Sequence, residues 1–118
     1  MNSQPPRTDS LRDSPLVVRD TATLQTAMLS IDMNTHRTVI VVNDRNVVVG
    51  TLSDGDIRKA LLDGRLFTTP VHRVMNPDFI SLTAKERDRA KAIFDEHHIF
   101  LIPVIDEGGV LLEILAAY

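Results

Sequence analysis

The sequence predicts a mixed α+β fold in which one β-α-β-β-α unit occurs twice. Three observations predict it: short β-branched runs alternate with helically spaced apolar residues, polar turns join neighbouring runs, and the whole pattern returns at one fixed offset. A chain of 118 residues holds one ordinary domain, not two. The copies are therefore expected to fold as a single unit.

Residues 1–13, MNSQPPRTDSLRD, are rich in proline, serine and charge, and cannot bury enough apolar surface to offset the entropy of ordering them. A loose tail is predicted there. The first copy is placed at 14–66. Leu16, Val17 and Val18 form a short strand, and Leu24, Ala27, Met28 and Ile31 then recur at helical spacing. Thr38 to Val42 (TVIVV) is a β-branched strand, Asn43-Asp44-Arg45-Asn46 a polar turn, and VVVGTL the returning strand. A second helix begins near Ser53.

The second copy is placed at 67–118, following the connector Asp63 to Pro70. Phe79 to Leu82 is expected as strand and Lys85 to His97 as helix. An offset of 63 residues (104 − 41) lays Val41 on Val104, Asn43-Asp44 on Asp106-Glu107, and Val47 to Val49 on Val110 to Leu112. It also lays Ala27 on Ala90 and Ile31 on Phe94, so core-facing helix positions coincide. Neither copy can bury both faces of its short sheet alone, so one continuous core shared by the pair is expected. Phe100 to Ile105 is apolar throughout, as a strand covered on both faces would be. Pro103 restricts that strand to an edge or a bulge, where its missing N–H faces no partner.

Composition narrows the function. With 43% hydrophobic and 25% charged residues the chain is ordinary globular protein. It has no apolar run near the roughly 18 residues of a spanning helix and no signal-peptide core in Met1 to Ser10. A cytoplasmic location without membrane association is expected. The absence of cysteine excludes disulfides and Cys-type zinc sites. A net charge of −3 with scattered cations argues against nucleic acid as partner. In Asp95-Glu96-His97-His98 the adjacent histidines lack the i, i+4 spacing of a metal pair, and His36 and His72 are isolated, so no metal site is expected. No serine elbow, phosphate loop or dinucleotide fingerprint occurs, and catalysis is not expected.

Two segments carry a resemblance. GTLSDGDIRKALLDG (Gly50 to Gly64), with Gly50, Ser53, Asp56 and Ile57 at motif positions, and the apolar strand His98 to Asp106 ending in Pro103-Val104 and Asp106, are similar to the signatures of the tandem cystathionine β-synthase (CBS) domain pair, or Bateman module. The likeness spans about residues 16–118. It implies a non-catalytic regulatory module, with a nucleotide between the two copies, a catalytic domain in cis and a homodimeric state. No cofactor is required; the implied ligand is AMP, ATP or a sugar nucleotide. By the same likeness Ser53 and Asp56 contact phosphate and ribose beside Thr51, and Ile80, Ile99 and Leu101 hold the base. The chemistry is sound: a carboxylate accepts both protons of a ribose diol, and a serine hydroxyl at a helix start is a natural anion contact.

The same residues fit a second account. Ser53 with an acid three residues on, ahead of Ile57, Ala60, Leu61 and Leu62, is also a helix N-cap with a carboxylate complementing the dipole. Asp54 and Asp56 would repel an anion unless Arg37, Arg58, Lys59 or Arg73 intervened. Under this account the chain is a ligand-free structural dimerisation module. In the second copy Glu113 stands for Gly50 and Ala116 for Ser53, and the counterpart of Asp56 falls past Tyr118, so at most one nucleotide per chain is expected. The last helix of the second copy is expected to be truncated and self-association to cover the exposed surface. The form SDGDIRKALL resembles pairs attached to sugar nucleotidyltransferases or to arabinose-5-phosphate isomerases. Met1 ahead of the pair points to the nucleotidyltransferase.

Overall fold

The β-branched runs pair as their spacing demands. A computed structural model describes residues 11 and 13–118; of the expected tail, all but Leu11 and Asp13 lies outside the described residues. β1 (Val17–Arg19) lies parallel to β2 (Thr38–Val42), which is antiparallel to β3 (Val48–Ser53). Helix α1 (Leu24–Asn34) links β1 to β2, and α2 (Asp54–Leu62) follows β3 directly. After a 3-10 turn at Val71–Arg73 come a 3-10 segment at Ala84–Arg89, helix α3 (Ala90–Glu96), and the antiparallel pair β4 (Leu101–Ile105) and β5 (Leu111–Ala116). No helix of the described residues is long and apolar enough to cross a membrane.

β2 is buried on both faces. Val39 and Val41 face α1 and α2 in a cluster with Leu24, Ala27, Ile31, Leu52, Ile57 and Val71. Ile40 and Val42 face the other way, onto Val17, Val48, Leu101 and Leu111. The expected single continuous core is thus two clusters divided by the first sheet. A bulge between Val41 and Val42 accounts for β3 serving both: Val48 joins the cluster shared between copies, while Leu52 stays with the helices.

The duplication is visible atom by atom. The offset of 63 residues (110 − 47) carries the pair Thr38/Ser53 onto Leu101/Ala116 and the Val41/Val42 bulge onto Val104/Ile105. It carries the Asn43 side chain, which accepts from the Arg45 and Val47 N–H groups, onto Asp106, which accepts from Gly108 and Val110. Left-handed Asn46 (φ 61°) becomes left-handed Gly109 (φ 84°). The two hairpins then meet through their equivalent residues: Val47 bridges Val110, Val48 N–H donates to Gly109 O at 3.0 Å, and Leu111 N–H donates to Asn46 O at 3.0 Å.

The second copy departs from expectation in two places. Phe79 to Leu82 is no strand; only Leu82 bridges Val104. Pro103 supplies the reason. Its carbonyl accepts from Leu82 N–H, so its nitrogen faces that same edge, away from β5. In the first copy the equivalent Ile40 donates its N–H to Leu16 O at 2.8 Å, a bond that proline cannot make. The expected helix from Lys85 to His97 starts as 3-10, and neither it nor α3 has a buried residue. Ala90 and Phe94 are half-buried where Ala27 and Ile31 are buried. At its start the Glu86 carboxylate accepts from the Thr83 N–H, which, ahead of the Thr83 hydroxyl, holds its pKa below the usual carboxylate range.

Two substitutions test this packing. At Gly50 an added Cβ would meet Met75 Sδ at 2.8 Å and Asn76 O at 3.0 Å, so Gly50→Val should cost about 1–3 kcal/mol in urea denaturation; an unchanged midpoint would contradict that close approach. The Asn46 side chain is buried, and neither polar atom has a partner among the described residues. Asn46→Gly keeps the left-handed turn and removes the unpaired amide, so stability should rise by about 1 kcal/mol.

Candidate ligand cleft

Helix α2 begins where it does because of its own residues. Ser53 is extended (φ −98°, ψ 165°); its Oγ accepts from Asp56 N–H at 3.0 Å and Asp56 Oδ2 accepts from Ser53 N–H at 3.0 Å, closing a capping box. One turn on, buried Ile57 and Ala60 anchor the helix against the first sheet. That anchoring aims the capped end into a cleft of about 450 Å³ between the copies.

All six residues singled out from sequence line this cleft: Thr51, Ser53 and Asp56 from the first copy, and Ile80, Ile99 and Leu101 from the second. Thr51 is held by a two-way backbone pairing with Asn76, N–H to O at 3.1 and 2.8 Å. Capping occupies one lone pair on Ser53 Oγ and one oxygen of Asp56. The Ser53 hydroxyl proton and Asp56 Oδ1 have no bond among the described residues and remain for a ligand.

Sequence reasoning missed Thr38, Asn76, Asp78, Phe79, His98 and Phe100, which also line the cleft. Phe79 and Phe100 extend apolar runs already recognised, and that was a usable signal. Asn76 and Asp78 sit in a turn with the Asp78 N–H bonded to Asn76 Oδ1 at 3.0 Å; its position against β3 is a long-range fact with no local mark.

Of the four cations considered, only Arg37 lines the cleft. Arg58 does not line the cleft but reaches Asp54, which does, at 3.5 Å, and Lys59 and Arg73 line a neighbouring groove. Arg37 sits between α1 and β2 in a loop that is left-handed at both Thr35 (φ 60°) and Arg37 (φ 62°). Buried Asn34 holds this loop: its amide donates to Pro15 O at 2.9 Å and Thr38 O at 3.0 Å, and its oxygen accepts from His36 N–H at 2.7 Å. The Arg37 guanidinium lies 5.9 Å from the Phe100 ring centroid. Arg37 and Phe100 are equivalents under the repeat offset (100 − 37), so they meet where the copies adjoin. The neighbouring His36 ring stacks on Tyr118 at 4.9 Å.

The family model "CBS domain" matches residues 9–63. Arabinose 5-phosphate isomerase GutQ of Salmonella typhi is 38% identical over 86 residues, covering 72% of this chain and 27% of that protein. The chain thus spans little more than a quarter of that relative's length. Among solved structures, a Vibrio cholerae protein assigned to acetoin utilization, AcuB, superposes with TM-score 0.76 at 27% identity over 86% of this chain and 76% of the other. A CBS domain protein from Pyrobaculum aerophilum complexed with AMP superposes with TM-score 0.72 at 19% identity, over 92% and 85% of the two chains; at that identity it speaks to the fold alone.

The expected nucleotidyltransferase parent finds no support, because the GutQ relatives are isomerases. SDGDIRKALL builds a helix start at a cleft, and nothing in that local task differs between one tethered enzyme and another. The fold, the repeat and the sequence likeness converge: the chain belongs to the CBS-domain family as a tandem CBS pair, homologous to the CBS region of the GutQ isomerases.

Proposed function

We propose that this CBS pair, with copies at 14–66 and 67–118, is a non-catalytic regulatory module that takes one adenosyl nucleotide in the Ser53/Asp56 cleft. Its proposed parent is a cytoplasmic sugar-phosphate isomerase, tethered in cis. The observation that carries this reading is the cleft itself, where a capped helix start with unused hydrogen-bonding capacity faces apolar side chains of the other copy. Asp56 Oδ1 would accept from the ribose diol, the Ser53 hydroxyl and Arg37 would meet the first phosphate, and Ile80, Ile99 and Leu101 would cover the base. Three carboxylates, Asp54, Asp56 and Asp78, line the cleft against the single arginine. That balance favours a ligand placing little negative charge inside it. Ala116, lacking a hydroxyl where Ser53 has one, supports one ligand per chain.

A ligand that prefers one arrangement of the copies would bias a tethered domain by typically 1–3 kcal/mol. Self-association is also proposed: Leu29 and Met33 on α1, Leu62 at the end of α2, and Leu66 and Phe67 beyond it are exposed, and a second copy of the chain would cover them. One observation favours the ligand-free dimerisation reading instead, since the capping box already gives Ser53 and Asp56 a structural task.

Thermal shift separates the two. At a concentration 100-fold above its dissociation constant, a native-state ligand adds about 2.7 kcal/mol. An adenine nucleotide should raise the melting temperature, and Asp56→Ala should abolish that shift while costing only about 0.3–1 kcal/mol of basal stability. A flat response across a nucleotide panel to millimolar concentration leaves dimerisation standing. In calorimetry the ligand should saturate at one per chain; two would contradict the role given to Ala116.

A further inference from the structure

The segment just past β5 is tied to the loop between α1 and β2, and His36 is the centre of the tie. Its Nδ1 lies 2.7 Å from Asn34 O, and its Nε2 lies 2.9 Å from Tyr118 O, 82 residues away in sequence. The two rings stack at 4.9 Å, and the Tyr118 hydroxyl donates to Thr35 O at 3.1 Å. Phe100 of β4 meets the Tyr118 ring edge-on at 5.9 Å. These contacts join the first copy to the second at the loop that carries Arg37.

The hydrogen-bonding groups around His36 are one-sided. A main-chain oxygen only accepts, and a neutral imidazole has one N–H and one lone pair. With an oxygen at hydrogen-bond distance from each ring nitrogen, a neutral ring turns its lone pair on one of them, whereas the imidazolium donates to both. The charged residues beside this loop are Arg37 itself, Asp32 of α1 and Asp54 of α2, which line one groove with Thr35; the Asp54 N–H also donates to Arg37 O at 2.9 Å. Two carboxylates against one guanidinium do not oppose a cation there. The titratable Tyr118 hydroxyl is engaged with Thr35, and Phe100 is apolar. Asn34 is buried and fixed by the bonds of its own side chain, while Tyr118 is 66% exposed, so the Tyr118 contact is the one that yields when the proton leaves.

We propose that His36 is a proton-dependent strap between the two copies: protonated, it holds Tyr118 against the α1–β2 loop, and neutral, it lets Tyr118 go. The strap needs no bound ligand, so it is tested apart from the reading given under Proposed function. Folding favours the protonated ring, so the strap's contribution to stability is full on the acid side and is lost as pH rises across about 5 to 8, where imidazoles titrate.

Urea denaturation of the full chain at about pH 5.5 and about pH 8 tests it beside His36→Gln, whose amide donates without titrating. The parent's midpoint should be higher at the acid pH, and that difference should shrink to near nothing in the variant; exposed His72, His97 and His98 are present in both. Tyr118 is the chain's only tyrosine and there is no tryptophan, so its fluorescence reads the contact directly and should change across the same range in the parent alone. Ring-nitrogen NMR of the parent, which needs no variant, should find both His36 nitrogens protonated at the acid pH and Nδ1 alone at the alkaline one. The same pH response in parent and variant, or a single ring N–H on His36 at the acid pH, would overturn the inference.

Discussion

Burial of β2 on both faces sets the architecture. A strand reading TVIVV has no polar side to show to water, so it needs a layer above and a layer below. Helices α1 and α2 give one through Leu24, Ala27, Ile31 and Ile57, and the second copy gives the other through Leu101 and Leu111. Pulling the copies apart would expose Ile40, Val42 and Val48 together and break the bonds from Val48 to Gly109 and from Leu111 to Asn46. The cleft follows from this constraint, because two packed hairpin units leave a gap at the end where α2 begins.

Within that gap, the residues that start helix α2 also line the cleft. Ser53 and Asp56 satisfy the first N–H groups of α2, and the capping geometry leaves one hydroxyl proton and one carboxylate oxygen unused. The cap therefore fixes the helix start and leaves hydrogen-bonding capacity at the cleft. Arg37 is prepared at greater cost, since two left-handed non-glycine residues flank His36 and each such residue is strained by about 1–2 kcal/mol. The three bonds of Asn34 hold that strained loop in place.

The two copies share a backbone plan and differ in the side chains placed on it. Equivalent turns, bulges and strand registers recur at one offset, yet Pro103 removes the donor that would fix a strand at 79–82, and Ala116 removes the hydroxyl. The first copy brings the capped helix start to the cleft, and the second brings apolar Phe79, Ile80, Ile99, Phe100 and Leu101 together with polar Asn76, Asp78 and His98. The duplicated fold thus leaves a cleft with unlike walls.

Much of this was readable in the order of residues. The strand Thr38–Val42, the helix over Leu24–Asn34, the Ser53 cap and the repeat offset are local patterns, set by period, branching and turn chemistry acting over a few neighbours. The six candidate residues, which all line the cleft, came from the resemblance: Ser53 and Asp56 stand at its motif positions, Thr51 lies beside them, and Ile80, Ile99 and Leu101 are apolar positions of the other copy. The loss of the strand at Phe79 to Leu82 was not readable, since it depends on which way the Pro103 nitrogen faces across the sheet. Nor was the choice of Arg37 over Arg58, Lys59 and Arg73 as the cation in the cleft. Four arginines and lysines look alike along the chain; which one faces the gap depends on backbone handedness at residue 37 and on the packing of two copies, and both are settled by contacts between residues distant in sequence.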